Sequence, residues 1–83
     1  MDPSVLLVIM HNAPEGDSEL LKIEGMERVE RLTRTRFRLH FKGDDSIVSR
    51  VVNEAVRNNW HLREISLEKE SLDKVFAKLS GKF

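Results

Sequence analysis

Six apolar residues in succession, Val5-Leu6-Leu7-Val8-Ile9-Met10, set the first constraint on this chain. The run is rich in β-branched residues and short, so it reads as a strand. In a strand, successive side chains point to opposite faces. A strand with no polar residue on either face belongs inside a sheet that is covered on both sides. The rest of an 83-residue chain must supply its neighbours and both covers. A chain of this length buries only about 60–65% of its unfolded surface, so cover for a second face is hard to find.

The other elements follow from periodicity and punctuation. Met1–Ser4 reads as a ragged start, the scar of excision from a longer protein, and residues 5–83 read as one domain. His11 to Asp17 carries Pro14 and Gly16 and reads as a loop. Ser18 is placed to cap a short helix through Leu20, Leu21 and Ile23, stopped by Gly25. Val29 to Phe41 reads as two strands joined near Arg34-Thr35-Arg36. In the second, Phe37, Leu39 and Phe41 alternate with Arg36, Arg38, His40 and Lys42, giving one apolar and one basic face. Gly43 to Ser46 reads as a turn leading into a helix cap. Ile47, Val48, Val51, Val52, Ala55 and Val56 then form an apolar stripe over about three turns, with Arg50 and Glu54 as i, i+4 neighbours. Asn58-Asn59 ends that helix, since asparagine tolerates the left-handed conformation. Trp60 opens a last strand, whose alternation slips between Leu62 and Ile65 and predicts a bulge.

The chain closes on a second amphipathic pattern. Leu72, Val75, Phe76 and Leu79 share one helical face, Ser71 precedes them as a cap and Gly81 follows as a stop. Asp73 near the start and Lys74, Lys78 and Lys82 toward the end suit the helix dipole. The expected fold is therefore α+β: a ferredoxin-like βαββαβ sandwich with an additional C-terminal helix. In it the first and third strands are central and the two main helices cover one face. We expect the Leu72–Leu79 helix, or a partner, to cover part of the other.

From Trp60 onward the letters have a further meaning. Trp60, Leu62 and Glu64, then Ser71, Leu72, Asp73, Val75, Phe76, Leu79, Ser80 and Gly81, resemble the end of many bacterial ABC transporter ATP-binding subunits. There a tryptophan-led strand and a Ser-Leu-(Glu/Asp)-x-Val-Phe-x-x-Leu-(Thr/Ser)-Gly helix close the accessory domain that follows the ATPase. Ile23-Glu24-Gly25-Met26-Glu27-Arg28-Val29 is similar to that family's Leu-Pro-Gly-Val-x-x-Val turn, with Glu24 for proline and Met26 for valine. The likeness covers most of residues 5–81 and is nearest to the gliding-motility-associated and multidrug-type subunits. It implies a non-catalytic C-terminal accessory or regulatory domain that acts through protein contacts. Its implied partners are the ABC ATPase core and the transmembrane permease subunit, with pairing of two copies left open. Its implied location is cytoplasmic, peripheral to the inner membrane through the transporter. The residues marked for contact are Leu72, Val75 and Phe76, with Arg36 and Arg38 on the basic strand face.

The residues themselves narrow the chemistry. The glycine-rich loop G-x-x-x-x-G-K-[ST] that cradles phosphates is missing, so ATP and magnesium are expected only in an upstream domain. Leu79-Ser80-Gly81 is similar to the start of the ABC signature, but it ends a helix where the signature begins one. There is no cysteine, hence no thiolate metal site, and His11, His40 and His61 lack the spacing of a helical zinc pair. No catalytic, cofactor-binding or metal residue is assigned. The apolar run is too short to cross a bilayer, and it lacks a secretory n-region. Formal net charge is zero, which suggests no general nucleic-acid binder, although Arg28, Arg31, Arg34, Arg36, Arg38 and Lys42 cluster. Two further functions keep the same fold: a free-standing ACT-like small-molecule sensor, and an RNA-binding module using Phe37 and Phe41 as stacking platforms.

Overall fold

The computed structural model describes residues 4–68. The apolar run forms β1 (Ser4–Met10), followed by α1 (Ser18–Leu21), β2 (Met26–Arg31), β3 (Arg36–Phe41), α2 (Ser46–Arg57) and β4 (Leu62–Glu68). The strands lie in the order β2-β3-β1-β4, and every neighbouring pair is antiparallel. The fold is thus α+β, with one four-stranded antiparallel sheet and two helices, and is compatible with a ferredoxin-like arrangement. β1 takes the inside position that its two apolar faces require, between β3 and β4.

One face of the sheet carries the core. Leu6, Val8 and Met10 of β1 point to the same side as Phe37, Leu39 and Phe41 of β3, and all six are buried. The register stacks them in rows: Leu6 stands between Leu39 and Leu67, and Val8 between Phe37 and Ile65. Ile47, Val51 and Ala55 of α2 lie over these rows, with Leu20 and Ile23 from the α1 region and Trp60 at the margin. Each fully buried side chain of this kind is worth about 1.5–3 kcal/mol against exposure. Among the described residues no polar or charged side chain is buried, so this core is held by apolar contact alone.

The connections show why each element stops. Asp44 accepts hydrogen bonds from the Ser46 backbone N–H at 3.1 Å and from the Ser46 hydroxyl, at the start of α2. At the other end Asn59 has a φ of 57°, the left-handed turn anticipated for the Asn pair. The Asn12 side-chain amide donates to the Asn59 carbonyl at 2.8 Å and pins that turn to the loop after β1. His61 also has positive φ, at 56°, an uncommon conformation outside glycine and asparagine. Gly25, with φ of 94°, turns the chain into β2; a Cβ there would lie 3.1 Å from the Lys42 carbonyl oxygen. The slip in β4 is real: Ile9 pairs with Glu64 but Met10 with Leu62, leaving Arg63 as the extra residue of a bulge.

Several expectations need correction. Ser18 is the first residue of α1, not its cap; Asp17 holds the cap position without a side-chain cap bond, because its carboxylate is turned to Arg31. α1 ends at Leu21, and Ile23 reaches the core from the following turn. β2 begins at Met26 rather than Val29, with a register shift at Glu27. Trp60 precedes β4 instead of opening it, since its N–H is bonded to the Ala55 carbonyl at 2.9 Å. Val56 is 76% exposed, outside the buried stripe. Arg50 and Glu54 do not pair: Glu54 meets Arg57 at 3.5 Å and Arg50 meets Glu24 at 4.0 Å. The expected Ser71–Gly81 helix, with Leu72, Asp73, Val75, Phe76 and Leu79, lies outside the described residues. No helix among the described residues is long and apolar enough to cross a membrane.

Candidate functional site

The helices leave the second face of the sheet to β1's other side chains. Val5, Leu7 and Ile9 form an apolar strip along its middle. In register beside them stand His40, Arg38 and Arg36 of β3, and Glu68, Ser66 and Glu64 of β4. Arg28 and Glu30 of β2 complete the face beyond His40 and Arg38. Val5 is buried, whereas Leu7 and Ile9 are half-buried. The strip is therefore apolar ground between charged flanks.

The flanks are tied across strands. Arg38 bridges β1: its Nε lies 3.4 Å from Glu68 on β4, and its Nη1 lies 3.9 Å from Glu30 on β2. His40 Nε2 lies 3.0 Å from a Glu30 oxygen and 3.2 Å from Arg28 Nη2. A single ring nitrogen serves one at a time: protonated, it donates to Glu30; bare, it accepts from Arg28. The bond from His40, opposed by desolvation and helped by Arg38, holds the Glu30 carboxyl below its ordinary range. Lys42 pairs with Glu27 at 3.6 Å. Most of the basic cluster is thus a solvated, paired strand face. Such exposed pairs contribute about 0–1 kcal/mol each.

The exception lies at one end. The β2–β3 turn, the end of β1 and the start of β4 meet there, and the Met10 N–H bonds the Thr35 carbonyl at 2.8 Å. Arg34 and Arg36 are exposed and have no acidic partner within salt-bridge distance among the described residues. Leu32 beside them is 45% exposed. A depression of about 130 Å³ is floored by Leu7 and Ile9 and rimmed by Leu32, Arg36 and Glu64. A wider one of about 610 Å³, lined by His11, Asn12, Pro14, Glu15, Arg31 and Arg34, adjoins the same end. Both are open troughs rather than enclosed ligand chambers.

Of the residues singled out in the sequence, Arg36 stands at this rim with no acidic partner among the described residues, and Arg38 is committed to its two glutamates. Trp60 is 4% exposed and belongs to the core, as does half-buried Leu62 packed against it. Phe37 and Phe41 face the helices and are buried, so they cannot stack bases on the open face as an RNA-binding sheet requires. His11 and His61 are joined through a backbone bond of 3.0 Å, and no group of three or more potential metal ligands gathers among the described residues. The sequence marked Arg31 only as one of the basic cluster, not for the contacts it makes. It donates to Asp17 at 2.8 Å and to the Pro14 carbonyl at 2.7 Å, and its guanidinium lies 4.9 Å from the Phe37 ring centre. Partners fourteen and seventeen positions away leave no local pattern to read. Comparison with family models, with curated proteins and with solved structures gives no match.

Proposed function

We propose that this chain is a non-catalytic accessory domain of a bacterial ABC transporter ATP-binding subunit, acting by contact with the ATPase core or a neighbouring subunit. The ferredoxin-like topology, closed by a C-terminal helix, is part of the proposal. The observation that carries it is the end of the sheet where Arg34 and Arg36 have no acidic partner among the described residues. Arg34 and Arg36 flank exposed Leu32 over a shallow apolar trough, a combination suited to an acidic, partly apolar protein surface. Complementary charge of this kind steers encounter and fixes register more than it adds raw affinity. The core beneath is buried and apolar, and on this reading it presents the end as a wedge. The motif order from Trp60 to Gly81 supports the family side of the reading.

The test is the complete reading frame. The expected result is a nucleotide-binding segment with a glycine-rich phosphate loop ahead of these residues. A frame with no such segment overturns the proposal. In a titration of this chain alone ATP is expected to leave the spectrum unchanged; saturable binding would contradict the non-catalytic reading.

A further inference from the structure

We infer that the outer edge of β2 pairs antiparallel with the same edge of a second copy, on a two-fold axis through Val29, giving one continuous sheet through both copies. Three observations carry this. First, the edge is open among the described residues. β2 is the outermost strand and β3 pairs with one side of it. Glu68, the last described residue, lies on β4 at the opposite edge. The outer side of an edge strand presents backbone N–H and C=O groups as a template for another strand. Second, the register fixes which groups point outward. The Leu32 N–H bonds the Arg36 carbonyl at 2.9 Å. Hydrogen-bonded and non-bonded pairs alternate along an antiparallel ladder, so Glu30–Arg38 and Arg28–His40 are the next bonded pairs. The N–H and C=O of Val29 and Arg31 therefore face away from β3. The bond from the Met10 N–H to the Thr35 carbonyl agrees, since it turns Phe37 and Leu39 toward β1 and leaves Arg38 and His40 for β2. Third, the edge complements itself in one register. An isologous pair sets one residue against its own copy on the axis. An axis through Glu27, Arg28, Glu30 or Arg31 sets like charges face to face, which destabilises a cross-strand pair. An axis through Val29 sets a half-buried apolar residue against itself, with Arg28 of each copy opposite Glu30 of the other. Arg28 is exposed and has no acidic partner among the described residues of its own copy. One step further out Glu27 meets Arg31, where the register shift in β2 ends the regular ladder.

The joint is short and charged, so the pair forms reversibly and is set by concentration. It stops at Arg31 and leaves the Leu32–Arg34–Arg36 end and the Leu7–Ile9 trough of each copy open, at opposite ends of the joint. The inference needs no transporter, and its failure leaves the reading-frame test untouched. The test is sedimentation equilibrium of the full 83-residue chain at low salt, from micromolar to millimolar concentration. The expected result is a monomer–dimer equilibrium with no larger species, because an isologous joint closes on itself. R28E alone, or E30R alone, sets like charges opposite each other in both pairs, and each is expected to weaken dimerisation by about tenfold or more. Mixed in equal amounts, the two variants restore both pairs and are expected to form a one-to-one dimer. Urea unfolding followed by Trp60 emission shows that each variant is folded. If E30R, which loses the bonds to His40 and Arg38, does not fold, R28E carries the comparison, since it loses only the bond to the His40 ring. A chain that stays monomeric throughout overturns the inference. So does a dimer that R28E leaves unweakened, or folded single variants whose mixture does not pair.

Discussion

Replacing Phe37 by alanine tests the core that presents the site. The ring is fully buried on β3, in register with Val8 on one side and Arg31 on the other. Truncating a buried phenylalanine costs about 3–5 kcal/mol, part transfer and part cavity. The Arg31 guanidinium over the ring accounts for about 0.5–1 kcal/mol of that, being itself partly exposed. A domain of this length has a total stability of about 4–12 kcal/mol, so Phe37→Ala removes from about a quarter of it to all of it. With a urea m-value of about 1.5 kcal/mol/M, the midpoint falls by about 2–3 M. The assay is urea unfolding followed by the emission of Trp60, the single tryptophan, which is buried. If Phe37→Ala leaves too little folded protein, Phe37→Leu carries the comparison, with a midpoint loss of about 0.5–1 M. A loss below about 1 kcal/mol for Phe37→Ala, or an Arg31→Ala variant as damaged as Phe37→Ala, would refute the packing described.

Gly25→Ala meets both positive φ and the Lys42 carbonyl, and is expected to cost about 1–3 kcal/mol in the same assay. Gly16→Ala, with open space around its Cβ and no positive φ, should change stability by less than about 0.5 kcal/mol. Glu30 titrates below its ordinary range when folded, so its stabilisation is present at neutral pH and is lost as pH falls through that lowered value. Glu30→Gln should therefore flatten the acid limb of stability against pH; an unchanged limb would mean the His40 and Arg38 pairings do not persist in solution.

The fold could be read from residues whose message is local. The unbroken apolar run could only be an inside strand, Phe37-x-Leu39-x-Phe41 could only be half-buried, and the slip between Leu62 and Ile65 became a bulge. What stayed hidden depends on distant partners. Asp17 gave up its capping role because Arg31, on another strand, was within reach. Val56 follows Val48 and Val52 at i, i+4 yet stayed exposed, because it lies about 140° round α2 from Val51, beyond the face on which Ile47, Val51 and Ala55 are buried. The candidate site was half legible. Arg36 and Arg38 were visible as a basic strand face, but only the register across the four strands shows that Arg38 is spoken for by Glu30 and Glu68 while Arg36 has no acidic partner among the described residues.

The central claim is that this domain works by contact, through the Leu32–Arg34–Arg36 end. The direct measurement is calorimetric titration of the full chain into the ATPase core that the proposal places ahead of it in the reading frame, at low and moderate salt. The account predicts salt-sensitive binding that the R34E/R36E double variant weakens by about tenfold or more, with its unfolding midpoint unchanged. Binding that is indifferent to both arginines, or no binding at all, would contradict it.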